Sequence, residues 1–392
     1  MSPSHSPAPS AASSSESSGG SAGHDHAPPL RRTGALGIAA TFIGTTIGAG
    51  YASGQEILQY FVSFGLLRGF LALGIAGVLF FTLAAIVLLL AQRLRTALVH
   101  DIINPTRFRI LSFLVDLTIT VSLIGTLVIM LAGAGAALQG SLGWPVLVGA
   151  GVMALASVLS VSAGVHGLVR VQAVVVPAII VVAVGVSVWG ILNPGENAGG
   201  DVAGLVNTSP MINQWWMAGV LYVAFNVQLA LAVFAPLGRE SSSPTRSLVT
   251  GAGLGAMGLV VMAAAIMVAL TAHAQLIGRA ELPMVDLAAQ IGLWAAVVYT
   301  VVLLLAQFTT ALSCLYGASA RLQRLGALRR VPLWAVATAL AVITTALSAV
   351  GFSDLVGVVY PALGYAGLLI VALLVFSWFT RHRRDVSETT TG

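Results

Sequence analysis

One carboxylate stands apart from the other acidic residues. Glu56 follows Gly44-Thr-Thr-Ile-Gly48-Ala-Gly50-Tyr-Ala-Ser-Gly54-Gln in the middle of an apolar run. An ionisable side chain at membrane depth is costly and is a functional candidate by default. Glu56 has three chemistries open to it: pairing with a solute ammonium, acting as an outer gate, or titrating as a coupling carboxylate. The plainer alternative is a glutamate that solvates a water-filled vestibule. The preceding segment holds four glycines in eleven residues. Each costs about 1 kcal/mol relative to alanine in a helix interior, so this density invites unwinding. An unwound turn offers backbone N–H and C=O groups to a solute, and Thr45, Thr46, Ala49, Gly50 and Ser53 would line it. The glycine spacing also fits small-xxx-small helix packing; the polar cluster Ser53, Gln55 and Glu56 is harder to explain that way. A second polar group, Tyr222, Phe225, Asn226 and Gln228, also falls at mid-depth in an apolar run and closes with Ala235-Pro236-Leu237-Gly238. Tyr222 and Phe225 would lid a pocket there, or would be ordinary core or lipid-facing rings. Tyr360 and Tyr365 are weaker choices. Asp116 has Arg170 or Arg109 as partner at an inner gate, or forms a simple interfacial ion pair.

The composition says what must position these residues. The chain has 392 residues, 57% hydrophobic and only 8% charged, with a mean hydropathy of +0.96. A soluble domain carries about 25% charged residues, so this chain cannot cover a globular surface with polar groups. Apolar runs long enough to cross about 30 Å of hydrocarbon recur along it. Ten spans are predicted, over 34–63, 67–92, 109–137, 144–162, 168–192, 213–237, 246–273, 291–318, 331–350 and 354–379, with turns at Asn104-Pro105, Gly143-Trp144-Pro145 and Asn193-Pro194-Gly195. Arg279 to Gln290 is too polar and short to cross and reads as a loop with a short surface helix. The two polar clusters sit in the first and sixth spans, five apart. An odd number of spans per repeat inverts the second half. Ten spans as 5+5, with discontinuous helices one and six, is the pattern of an inverted-repeat secondary transporter whose site lies at the two breaks.

The domains are accordingly a first repeat over 31–192 (helices 1–5), an external loop over 193–212 and a second repeat over 213–380 (helices 6–10). A disordered tail over 1–30, rich in Ser, Pro, Ala and Gly, and a short tail over 381–392 flank them. No secretory signal is expected at the start. All eighteen basic residues are arginines, and with the N-terminus inside, only Arg68 and Arg279 fall outside. That bias places both termini in the cytoplasm of a multi-pass protein of the cell's plasma membrane, the inner membrane where a cell has two.

Several signals are discounted. The pI near 9.9 reflects these loop arginines, so no nucleic-acid partner is expected. Gly253-Leu-Gly255-Ala-Met-Gly258 matches G-x-G-x-x-G, but it lies inside an apolar span with no strand before it and reads as helix packing. The His24-Asp25-His26 run has no further ligands nearby. HExxH, GxSxG and CxxC are absent, so an enzyme is not expected. The partners expected are a small solute and the bilayer; the sequence does not speak to oligomeric state.

At Gly44–Glu56 the sequence resembles the uncharacterised YkvI-type membrane proteins, whose first span reads close to GAG[FY]ASGQE, and Tyr222–Gly238 fits that family's sixth span. The resemblance covers about residues 33–380. That family in turn resembles the amino acid–polyamine–organocation superfamily with the LeuT fold. The resemblance implies 5+5 topology, broken helices one and six, and a small amino-acid-like solute. It also implies that spans 1, 2, 6 and 7 rock against the rest. Sodium-coupled members of that fold hold an ion between first-helix carbonyls and an eighth-helix Ala with Thr or Ser three and four positions later. Ala306, Thr309 and Thr310 match that spacing, and aligning the glycines assigns the carbonyls of Gly44 and Ile47. A hard monovalent cation wants several oxygens, which these groups supply. Alternatively, both threonines bond back to their own helix. Proton-coupled relatives place a Lys in the fifth span, and this chain has no Lys. The resulting expectation is cation-coupled symport, with sodium as coupling ion and no cofactor, of a small amino-acid-like or amine solute. The alternatives are proton coupling through Glu56 or Asp116, or a membrane receptor or interaction protein that keeps the fold without moving solute.

Overall fold

A computed structural model of the chain describes residues 34–390 apart from 97–98, 104–107, 164–167, 196–201, 203–204, 207, 242 and 324–327. The tail over 1–30, with its His-Asp-His run, lies outside the described residues, as does much of the 193–212 loop. The first apolar run forms three pieces: α1 (Ala35–Thr46), α2 (Ala49–Ser53) and α3 (Gln55–Tyr60). Next come α4 (Leu66–Leu94), α5 (Val99–Ile103), α6 (Arg109–Leu142), α7 (Val146–Ala163) and α8 (Leu168–Leu192). The second half holds α9 (Trp215–Glu240), α10 (Thr245–Ala272), α11 (Ala274–Ile277), α12 (Pro283–Ile291), α13 (Leu293–Gln323), α14 (Leu333–Leu347) and α15 (Phe352–Thr390). Among the described residues, eight helices are long and apolar enough to cross a bilayer. The chain is a multi-pass membrane protein. The predicted spans 34–63 and 144–162 fall on the broken first run and on the shorter α7, neither of which is among those eight.

The helices meet through small residues, because without water to expel, close backbone approach is what rewards association in lipid. Gly251, Gly255 and Gly258 of α10 seat Ile38, Phe42 and Ile43 of α1, so the apparent dinucleotide motif is indeed a packing face. On α9, a Cβ at Gly219 would strike the Ala72 carbonyl of α4, and one at Gly238 the Leu88 carbonyl of α4. α6 packs on α13 and α7, and α15 on α9.

One expectation is corrected. α9 runs unbroken from Trp215 to Glu240, so the sixth predicted span is not discontinuous. No glycine falls between Gly219 and Gly238, and Asn226 and Gln228 find partners without opening the helix. Asn226 Nδ2 donates to the Tyr222 carbonyl at 2.8 Å. The stretch before α13 holds a short helix, α12, which buries Pro283, Met284, Leu287 and Ala288 and leaves Asp286, Ala289 and Gln290 exposed. α15 continues as helix through Thr390, into the segment read as the C-terminal tail.

Pro361 lies inside α15 and has no N–H for the Gly357 carbonyl four residues earlier. The buried Ser209 hydroxyl, from the segment before α9, donates to that carbonyl at 2.5 Å. α15 is thus tied to the segment that precedes α9.

Candidate solute site at the broken first helix

The break is local and follows from the glycines. α1 ends at Ile47 (φ −74°, ψ 90°), Gly48 is extended, and the ladder resumes when Ala52 N–H reaches the Gly48 carbonyl at 3.0 Å. A second interruption follows at Gly54, which is left-handed at φ 82°. A Cβ there would also lie 2.7 Å from Met284 Cγ, so geometry and packing both require glycine. Among the described residues, no backbone N–H reaches the carbonyls of Gly44, Thr45 or Ile47. Free carbonyls are costly in a dry interior unless something else satisfies them. The short α2 after the break is buried: Ala49, Ala52 and Ser53 have no solvent exposure, and Gly50 is buried with them.

Two tyrosines hold the short α2 in place. Tyr299 of α13 donates to the Ala52 carbonyl at 2.6 Å, and Tyr51 donates to the Leu259 carbonyl of α10 at 2.6 Å. Ser53 bonds the Gly50 carbonyl at 2.7 Å and accepts from Gln55 N–H at 3.2 Å. Thr45 bonds back to Thr41, while the buried Thr46 hydroxyl has no partner.

Glu56, in the first turn of α3, folds back so that its carboxylate lies over Gly50, where any side chain would collide with it. Tyr51, Tyr60, Tyr222 and Tyr360 surround it. Tyr222 and Phe225, expected as pocket residues, do stand beside the break. Tyr222 packs edge-on against Tyr60 at 5.3 Å and Phe225 at 5.6 Å, and Phe225 stacks on Tyr360 at 4.5 Å. The Tyr60 hydroxyl is buried without a hydrogen-bond partner, and the buried Tyr222 hydroxyl lies beside the Glu56 carboxylate.

Other predicted residues go elsewhere. Gln228 is tied to Ser122 of α6 at 2.6 Å and to the Leu363 carbonyl of α15 at 2.7 Å, which uses it as an interhelix brace. Tyr365 bonds the Met211 carbonyl at 3.0 Å, away from the break. Asp116 is exposed and pairs with Arg321 at 3.0 Å; neither arginine expected from the sequence is its partner in this bond. Such exposed pairs contribute about 0–1 kcal/mol, and the geometry matches the interfacial pair more than a gate. Thr309 and Thr310 both donate to the Ala306 carbonyl at 3.0 Å, the back-bonding alternative for these side chains. Their oxygen lone pairs are not consumed by donating, so they keep the capacity to ligate a cation.

Sequence reasoning passed over several groups. Tyr60 lies one turn after Glu56, the i+4 spacing that puts both on one face. Gln59 donates to the Ser353 carbonyl at 2.8 Å, Gln55 donates to the Ser353 hydroxyl, and Ser353 N–H donates to Glu281 at 2.7 Å. Gln307, fully buried next to Ala306, has neither amide atom satisfied and points at Gly133 of α6. Its position in a polar run within an apolar span was the available signal.

No family model matches the chain. It is 26% identical to the uncharacterized membrane protein YkvI of Bacillus subtilis over 351 residues, covering 88% of this chain and 96% of YkvI. It is 25% identical to the uncharacterized protein YyaD of the same organism over 341 residues, covering 85% and 94%. Among solved structures it resembles the inward-facing conformation of Mhp1, with a TM-score of 0.63 at 15% identity over 91% of this chain and 78% of that one. A Na+-coupled sialic acid symporter in a substrate-bound outward-open state gives 0.55 at 12% identity, over 89% and 79%. MhsT in complex with L-phenylalanine gives 0.53 at 17% identity, over 87% and 89%. The chain is a homologue of the uncharacterised proteins YkvI and YyaD, and its helices take the LeuT fold of these transporters.

Proposed function

We propose that the chain is a secondary active transporter that moves a small amine or amino-acid-like solute by alternating access, coupled to a cation. The observation that carries this reading is the interrupted first helix, with carbonyls at Gly44, Thr45 and Ile47 that no backbone N–H reaches among the described residues, in a chain with the fold of known transporters. On this reading there are ten spans arranged 5+5, with α1–α3 together as the first and α9 as the sixth. Both termini lie in the cytoplasm, as the arginine bias implies. Solute binds between the broken turn and the aromatic face of α9.

Sodium is the proposed coupling ion. The carbonyls of Gly44 and Ile47 and the hydroxyls of Thr309 and Thr310 form a donor set of hard oxygens suited to it. The Na+-coupled symporter among the structural neighbours supports the same choice. One observation favours proton coupling as the second reading: Glu56 is a buried carboxylate with no basic side chain bonded to it among the described residues.

Reconstitution into liposomes tests the proposal. Uptake of a labelled solute driven by an imposed sodium gradient is the expected result. Uptake that ignores sodium but collapses with a protonophore moves the coupling to the proton. No uptake of any amine or amino acid under either gradient removes the transporter reading.

A further inference from the structure

Glu56 is the only buried acidic side chain among those described, at 4% exposure. No described arginine is buried, and the chain has no lysine. A buried carboxylate therefore sits in the protein core without a protein counter-charge, an arrangement that is unfavourable unless a ligand supplies one or the carboxyl takes up a proton. Its surroundings are specific. The rings of Tyr60, Tyr222, Phe225 and Tyr360 form one connected cluster beside it. Aromatic faces attract cations, more strongly when water is excluded. The Tyr60 hydroxyl is buried and unpartnered, and the buried Tyr222 hydroxyl lies beside the Glu56 carboxylate. Together these groups offer carboxylate and phenolic oxygens enough to accept from all three N–H donors of a protonated primary amine.

The position of Glu56 also decides against a carboxylated solute. Its carboxylate lies over Gly50, in the first turn of α2. The backbone donors of the broken turn are where the carboxylate of an amino acid would seek hydrogen bonds. A second carboxylate there would face Glu56 at close range, and like charges juxtaposed in a dry site cost several kcal/mol.

We propose that the solute is a protonated primary amine lacking a carboxylate, held by Glu56 and by the hydroxyls and rings of Tyr60 and Tyr222. This rests on the transporter reading for its role in flux, but the binding site stands or falls separately. Gly50 keeps space for the carboxylate, and the cluster around Phe225 and Tyr360 takes the apolar part of the amine.

The test is equilibrium binding to purified full-length protein, followed by thermal shift at neutral pH and fixed sodium. The probes are the straight-chain primary amines from ethylamine to hexylamine, phenethylamine, the amino acids that match them in side chain, and the corresponding carboxylates. At least one amine is expected to stabilise the wild type in a saturable way, while its matched amino acid and carboxylate bind at least about 30-fold more weakly. Glu56→Gln keeps the shape of the side chain and is expected to lose at least about 30-fold in amine affinity; Glu56→Asp should retain part of it. An amino acid that binds more tightly than its amine overturns the proposal, as does equal amine binding by Glu56→Gln, or no stabilisation by any amine in the series. If both variants fail to fold, Tyr60→Phe, which removes only a hydroxyl donor and acceptor, must lower amine affinity about tenfold, and unchanged affinity overturns the proposal. Amine binding without flux in liposomes would defeat the transporter reading alone. Sodium-driven flux of an amino acid that survives in Glu56→Gln would defeat this proposal alone.

Discussion

The Tyr299 hydroxyl of α13 donates to the Ala52 carbonyl of α2 at 2.6 Å. That bond fastens the five-residue middle piece of a broken span to a long neighbouring helix, and Tyr51 fastens its other side to α10 at Leu259. Between them, these two hydroxyls satisfy one carbonyl of the short piece and one of the helix beside it.

Tyr299→Phe leaves the Ala52 carbonyl without that donor in a buried setting. A loss of about 1–3 kcal/mol is expected, measured as reduced resistance to unfolding in mild detergent. Tyr51→Phe should show a loss of similar size at Leu259. A Tyr299→Phe protein as stable as wild type would mean that the carbonyl finds another donor.

Glycines 50 and 54 predict opposite outcomes. Gly54→Ala forces a side chain into a left-handed backbone and against Met284, and should destabilise by about 1–3 kcal/mol. Gly50→Ala meets only the movable end of Glu56. It should fold with little change in stability but bind solute at least tenfold more weakly, because the carboxylate is displaced. Solute affinity equal to wild type in Gly50→Ala would show that the observed placement of Glu56 does not matter.

Thr309→Val and Thr310→Val each remove a hydroxyl oxygen while keeping the shape of the side chain. If these oxygens ligate sodium, each variant should need at least tenfold more sodium to half-saturate solute uptake, with the maximal rate less affected. Unchanged sodium dependence in both variants would leave their hydroxyls with the back-bonding to Ala306 alone.

Ser209→Ala removes the donor from the Gly357 carbonyl that Pro361 leaves without a helical partner. The expected loss is about 1–3 kcal/mol. The double variant Ser209→Ala with Pro361→Ala should recover part of it, since an alanine at 361 restores the helical N–H. Additive losses in the double variant would argue that the proline, not the orphaned carbonyl, governs that stretch.

Composition and hydropathy made the class of the chain and most span positions legible, because lipid allows few ways to satisfy a backbone. α8 matches the predicted span 168–192. The first break was legible because glycine density is itself a physical cost. The second expected break was not there: polar residues at mid-depth resemble an interruption in sequence, but Asn226 and Gln228 reach carbonyls that lie four residues back or on other helices. The roles of Tyr60 and Ser353 depended on which helices meet, and spacing along one strand of text does not carry that. Gln307 lay in plain view inside the proposed ion motif and was passed over because its neighbours matched a pattern and it did not.

The two glycines that bring α9 against α4, Gly219 and Gly238, are nineteen residues apart, or about 28 Å along a helix. Backbone meets backbone at both ends of that length. The two helices are therefore clamped to one another at both ends. On the proposed transporter reading they would move as one stiff unit, and substitutions at those two glycines would stop flux without touching the solute site.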